Sequence, residues 1–225
     1  MSDDRRTEVI RRIKAIAREQ VAERGAAALS LSRIARKLEM TTPALYRYFA
    51  NRDELVSALV IDAYTELCEV TESALEGVDR DDLGGRFEAF MMAYRRWALA
   101  HPQDYILIHG AVLPGYKAPI DRVAAATFRV IRSFVDLLLD AQRLGRLRVP
   151  PDFERLPAEL AQALRPVEEL PAPLLLLAFF TWLEAHSLVW QEIAGHLPPQ
   201  LFEDGNVFRL HVRNVGRALG LLDDE

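Results

Sequence analysis

Along almost the whole chain, apolar residues recur three and four positions apart, and no segment alternates like a strand between turn signals. The first such stripe, Ile10, Ile13, Ala17 and Val21, predicts a helix from about Asp4 to Arg24 that stops at Gly25. Two short helices are expected near Leu31–Leu38 and Pro43–Phe49. A longer one follows from Arg52 to about Leu75, with Leu55, Leu59, Ala63, Leu67 and Val70 on one face. Gly77 and the charged run VDRDDLGG read as a break before a helix from Arg86 to Ala100. Pro102 opens a short helix that Pro114-Gly115 ends. A long helix from Ile120 to Leu144 carries Val123, Phe128, Ile131, Val135 and Leu138, and Gly145 closes it. Six of the twelve prolines fall between Pro150 and Pro173, which predicts a loop with one short helix near Ala158–Arg165. Helices from Pro173 to Ala194 and Asn206 to Leu221 complete an all-α chain of about ten helices.

Within this pattern the stretch Leu29–Leu55 stands apart. Ser30 is placed to cap the first short helix, in which Leu31, Ile34, Ala35 and Leu38 share a face and leave Arg33, Arg36 and Lys37 outside. Thr41 or Thr42 can cap the second helix, with Pro43 in its first turn. Leu45 and Phe49, four apart, must face inward. Ala44, Arg47 and Tyr48 then face outward, with Thr42, Pro43 and Tyr46 beside them. Asn51-Arg52-Asp53-Glu54 resembles a capping box and starts the next helix at once. This is the grammar of a helix-turn-helix whose second helix enters the DNA major groove. Arg47 suits a two-point contact with a guanine edge, while Thr42, Pro43 and Ala44 suit thymine methyls or sugars. Tyr46, Tyr48 and Arg52 suit backbone phosphate.

Charge supports a DNA-binding head. The chain carries −5 overall, but residues 1–52 hold 12 Lys and Arg against 6 Asp and Glu, leaving 16 against 27 elsewhere. A basic head on an acidic body suits a protein that docks on phosphates at one end. The single cysteine, Cys68, excludes an intramolecular disulfide. The charged start MSDDRRTEVIRR lacks a signal-peptide pattern, and PLLLLAFFTWL is shorter than a bilayer span, so a cytoplasmic protein with no membrane segment is expected. No His-Glu-x-x-His spacing, nucleophile elbow or glycine-rich phosphate loop occurs. Glu184 with His186, or His109 near Asp104, can be posed as acid–base pairs, but a pair of common residues is a weak signal, and no enzyme, metal site or cofactor is expected.

The residues Ile34-Ala35, Thr41, Leu45-Tyr46-Arg47-Tyr48-Phe49, Arg52 and Leu55 resemble the DNA-binding domain of the tetracycline-repressor (TetR) family of bacterial transcriptional regulators. The turn departs from the family's frequent glycine by placing Glu39 there, and Arg52 replaces the usual lysine. A glutamate at that position must adopt a left-handed conformation at a steric cost, or the turn must differ. The body resembles a subgroup with a tryptophan-histidine-glycine signature, through AYRRWALAHPQDYILIHG, VLPGYKAP and WLEAHSLVWQEIAGHLP. Trp182 and His186 match it, while Ser187 stands where glycine is expected.

The resemblance implies an N-terminal three-helix DNA-binding domain over residues 1–52, a connecting helix over 52–75, and a helical effector-binding and dimerisation domain over 76–225. It implies DNA contacts from Ser30, Arg33, Thr41, Thr42, Pro43, Ala44, Tyr46, Arg47, Tyr48 and Arg52. It also implies a small-molecule effector pocket, for which the amphipathic rings Tyr94, Trp97, Tyr105, His109, Trp182 and His186 are the expected lining. Homodimers pairing through the last two long helices on a palindromic operator complete the expectation, with repression the commoner mode. An activator or a ligand-independent regulator is the alternative, and an enzyme or a helical interaction module that never binds DNA is a more distant one.

Overall fold

A computed structural model describes residues 3–109, 116, 120–155, 157–163, 171–196 and 198–223. Among these residues lie eleven α-helices, three short 3-10 turns and no strand. The expected helix stop at Pro114-Gly115, most of VLPGYKAP and the end of the short helix at Arg165 fall outside the described residues. The chain divides into two compact units, Met1–Glu66 with His101–Thr127, and Leu67–Ala100 with Phe128–Glu225.

The first unit contains α1 (Asp3–Arg24), α2 (Leu31–Lys37), α3 (Thr42–Tyr46), the first two thirds of α4 (Arg52–Ser73), α6 (Pro102–His109) and the start of α7 (Ile120–Arg143). Its core follows the apolar stripes. Ile13, Ala17, Ile34, Leu45, Leu55 and Leu59 are fully buried, closed over by Val21, Phe49 and Leu107. Gly25 ends α1 with φ 74°, a conformation that an L-residue adopts only at a cost. The expected recognition helix is shorter than its apolar spacing predicts, because α3 stops at Tyr46 and Arg47 is its C-cap. Phe49 is nevertheless buried, so the inward pair survives in the turn that follows.

The second unit is built on α5 (Leu83–Ala100), the rest of α7, α10 (Ala172–Ala194) and α11 (Asn206–Ala218), with the short α8 (Pro151–Glu154) and α9 (Ala158–Ala163). Helix α5 starts three residues earlier than the glycines imply. Asp82 Oδ1 accepts the Gly85 N–H at 2.8 Å and caps the first turn. A Cβ on Gly84 would lie 2.4 Å from Leu222 Cδ2, so this glycine admits the C-terminal segment rather than breaking the helix. Phe87 and Phe90 stack on Phe134 at 5.8 and 5.7 Å between ring centres, and Leu138, Leu177, Ala185, Phe208 and Val212 complete the core.

Ion pairs to the carboxylates of Glu192 and Asp140 brace this unit. Arg95 grips Glu192 of α10 through two bonds, at 2.9 and 2.5 Å. Asp140 receives Arg80 at 3.0 Å and Arg86 at 2.9 Å. Burial works against the Asp140 charge, but the two guanidinium groups outweigh it and hold the carboxyl below the usual range. Helix α10 has the expected extent, but its apolar residues continue past Glu184 through Leu188, Val189 and Trp190, giving 23 residues long and apolar enough to cross a membrane by length and composition. One face, with Leu174, Leu177, Ala178, Ala185 and Val189, is buried within the unit, while Phe179, Phe180 and Leu183 are exposed on another.

Candidate nucleic-acid interface and effector residues

The head is held by local hydrogen bonds that its sequence dictates. Ser30 Oγ accepts the Arg33 N–H at 3.4 Å, and the Ser30 N–H donates to Gln20 Oε1 of α1 at 3.0 Å. Helix α2 ends in a Schellman turn: the Glu39 N–H donates to Arg36 O and the Met40 N–H to Ala35 O, at 3.1 and 2.9 Å. Glu39 occupies the left-handed position of that turn, with φ 55°, as its departure from glycine implies. Thr41, rather than Thr42, caps α3 by accepting the Ala44 N–H at 3.3 Å. Asn51 Oδ1 accepts the Glu54 N–H at 2.8 Å, and Glu54 reaches back to the Ala50 N–H at 2.9 Å, one residue beyond the usual box partner.

On this frame Arg33, Thr41, Pro43, Tyr46 and Arg47 are exposed, while Ser30, Thr42 and Ala44 are half-buried. Tyr46 is 48% exposed. Two residues sit differently from expectation. Tyr48 is half-buried against the core, and the Arg6 guanidinium lies over its ring, 5.5 Å from the centre. Arg52 turns inward and donates to Ala26 O at 2.9 Å, because the 3-10 turn after α1 leaves that carbonyl facing the start of α4. It therefore ties the end of α1 to the start of α4.

No candidate contact residue was expected on α1. Arg5, Val9 and Arg12 lie on one face of that helix and line a cleft of about 360 Å³ with Leu38, Met40, Arg47 and Tyr48. Arg47 thus borders a basic cleft as well as the outer face of α3. The spacing of Arg5 and Arg12 shows that they share a face, but only the fold shows that Arg47 meets it.

The six rings expected around an effector are divided between the units. Tyr105 is fully buried in the first unit, edge-on to His109 at 4.8 Å, with Tyr64 6.1 Å from the same imidazole. In the second, Tyr94 and Trp97 of α5 are each 2% exposed and fill the core. Trp182 and His186 are half-buried and stack at 5.2 Å, in a ladder that runs from Phe179 to Trp190 along α10. Burial pushes the His186 imidazole below its ordinary pKa, favouring the neutral ring that stacks well. The acid–base pairs that can be posed from sequence are engaged otherwise. Glu184 faces His211 at 3.8 Å, and Asp104 accepts from Arg18 at 3.3 Å. Among the described residues no cluster of His, Cys, Asp and Glu is arranged to hold a metal ion.

Residues 13–59 match the profile of bacterial regulatory proteins of the tetR family, and residues 87–215 match that of the tetracyclin repressor-like C-terminal domain. The chain belongs to the TetR family. Its curated relatives include the HTH-type transcriptional regulators Rv1816 of Mycobacterium tuberculosis and Mb1846 of Mycobacterium bovis. Each is 36% identical over 154 residues, which are 68% of this chain and 66%, just under two thirds, of the relative. Among solved structures, the regulatory protein SCO4313 superposes with a TM-score of 0.75 at 30% identity, covering 96% of this chain and 98% of that one. The TetR-family regulator PfmR of Thermus thermophilus shares the fold, with a TM-score of 0.61 at 18% identity, covering 92% and 98%. The family and the names of these relatives are those of regulators of transcription.

Proposed function

We propose that this TetR-family protein is a cytoplasmic homodimeric repressor that grips a palindromic operator through α2 and α3 and is released by a small-molecule effector. The observation that carries the reading is the capped α3, held inward by Leu45 and Phe49 and presenting Thr42, Pro43, Ala44 and Tyr46 on its outer side. These short side chains suit close approach to base edges, and Ser30, Arg33 and Thr41 border them where phosphates would pass. Residues 1–52 serve as the DNA-binding domain, α4 as the connection, and residues 76–225 as the effector and dimer domain.

Two copies pair through α10 and α11. Phe179, Phe180 and Leu183 of α10 and Leu210 of α11 are exposed, Leu210 at 59%, and such an apolar surface is unusual unless a partner covers it. Two-fold pairing places the recognition helices on half-sites about 34–36 Å apart or a multiple of that. Within the second unit, the half-buried Trp182–His186 stack is the surface best suited to an effector ring. An effector needs only about 1–3 kcal/mol of coupling to weaken DNA binding 5–150-fold.

Selection of bound sequences from random duplex DNA with the purified protein tests the reading. A palindromic consensus is expected, and addition of the effector should abolish its retention. Recovery of unenriched DNA, or light scattering that shows only a monomer at micromolar concentration, overturns it.

A further inference from the structure

We propose that Arg5, Arg12 and Arg47 form a phosphate clamp that holds the DNA backbone beside the recognition helix. The inference deepens the DNA-binding reading above and rests on it. The cleft that these arginines line, about 360 Å³, has Val9, Leu38, Met40 and Tyr48 as its other walls and no carboxylate among its lining residues. The three arginines come from two helices, α1 and the end of α3, so the fold gives one cleft a positively charged lining. Such a lining suits an anion.

Arginines elsewhere in the chain are often paired: Arg18, Arg80, Arg86, Arg95, Arg129 and Arg146 each meet an Asp or Glu within 3.3 Å. In a protein with a net charge of −5, carboxylates are plentiful, yet among the described residues none lines this cleft. Nor is the cleft a loose patch. The Tyr48 ring forms one wall, packed on the core from inside and covered by Arg6 from outside. Planar guanidinium forks on such a wall match the tetrahedral oxygens of a phosphodiester. A free inorganic anion shares that chemistry, but the cleft is continuous with Arg47 at the end of α3, where operator backbone must pass if α3 lies in the groove. The assignment also changes the expected task of Arg47, from reading a guanine edge to holding a phosphate.

The test uses the full-length dimer, the operator recovered by selection and a random duplex of equal length. Fluorescence anisotropy over a KCl series should show wild-type affinity falling linearly on log–log axes. The double variant Arg5→Ala/Arg12→Ala should lower the slope by about 1.8, one phosphate per head at about 0.9 each, and keep the same consensus on reselection. Arg12→Lys should retain most of the slope, and Arg47→Ala should weaken operator and random DNA alike. Neutral methylphosphonates at the phosphates flanking each half-site should weaken the wild type and leave the double variant unaffected. A wild-type slope in the double variant overturns the clamp, as does equal harm from methylphosphonates to both proteins. A calorimetric titration with inorganic phosphate that the double variant abolishes, with DNA binding unchanged, assigns the cleft to a free anion and also overturns it. A wild-type protein that selects no sequence refutes the regulator reading first and the clamp with it.

Discussion

Replacing Glu39 by glycine should stabilise the protein. Glu39 is the left-handed residue of the Schellman turn between α2 and α3, with φ 55°, and it is exposed, so its side chain fills no cavity. An L-residue in that conformation carries a cost of roughly 1–2 kcal/mol from the clash of Cβ with the following carbonyl. Glycine removes the clash but gives the unfolded chain more freedom, returning roughly 0.5–1 kcal/mol. The net gain expected for Glu39→Gly is about 0.5–1 kcal/mol. In a chain of this size that moves the melting point upward by roughly 1–4 °C. The turn's hydrogen bonds, from Glu39 N to Arg36 O and Met40 N to Ala35 O, are made by the backbone and persist in the variant.

A negative charge at the C-terminal end of α2 also opposes the helix dipole, so charge must be separated from backbone strain. Glu39→Gln removes the charge and keeps Cβ, Glu39→Ala shortens the side chain and keeps Cβ, and Glu39→Asn tolerates the left-handed region better than either. Urea unfolding should rank them Gly above Asn above Ala and Gln, with an unchanged m value. If Ala or Gln gains as much as Gly, charge explains the effect and the strain argument fails. If Gly destabilises, the turn does not hold this conformation.

Phe180→Ser combined with Leu210→Ser should convert the dimer to monomer in light scattering at micromolar concentration and abolish operator binding, whereas an intact dimer would remove α10 and α11 from the interface. Asp140→Asn leaves the Arg86 guanidinium, 11% exposed, without its anion and should destabilise by about 3–5 kcal/mol at pH 7. Because the folded-state pKa of Asp140 lies below its ordinary 3.8, its contribution is complete above that pH and is lost as pH falls through the folded value. The gap between wild type and Asp140→Asn in urea unfolding should therefore narrow on acidification, and a constant gap refutes the ion-pair account. Arg52→Ala should lower stability by about 1.5–3 kcal/mol through its lost bond to Ala26 O while leaving the salt slope of DNA binding unchanged. A lower slope would restore Arg52 as a phosphate contact.

Features enforced by a residue's own neighbours in sequence were legible without coordinates. Ser30, Thr41 and Asn51 accept bonds from N–H groups three residues on, Leu45 and Phe49 are four apart, and Gly25 and Glu39 take the left-handed positions where helices end. All of these follow from helical geometry over at most a turn or two. Gly84-Gly85 misled for the complementary reason. Glycine reads locally as a breaker, but the demand that Gly84 meets comes from Leu222, more than a hundred residues away. Arg52 carries the same lesson, since its partner, Ala26 O, belongs to a turn that sequence spacing does not point toward α4.

The aromatic residues and the α1 arginines show what kind of information spacing lacks. Periodicity assigns Trp97 and Trp182 equally well to an inward face, yet one is sealed in the core and the other remains partly open in a stack with His186. Which of two amphipathic rings is sealed depends on the helix packed against it, a tertiary fact. Arg5 and Arg12 look like ordinary solvated charges on a surface helix until α3 places Arg47 against the same cleft. A lone surface arginine needs no explanation, whereas three that line one cleft from two helices, with no carboxylate among its described lining residues, do. That convergence moves the expected DNA contacts beyond the helix-turn-helix, onto the first turns of α1.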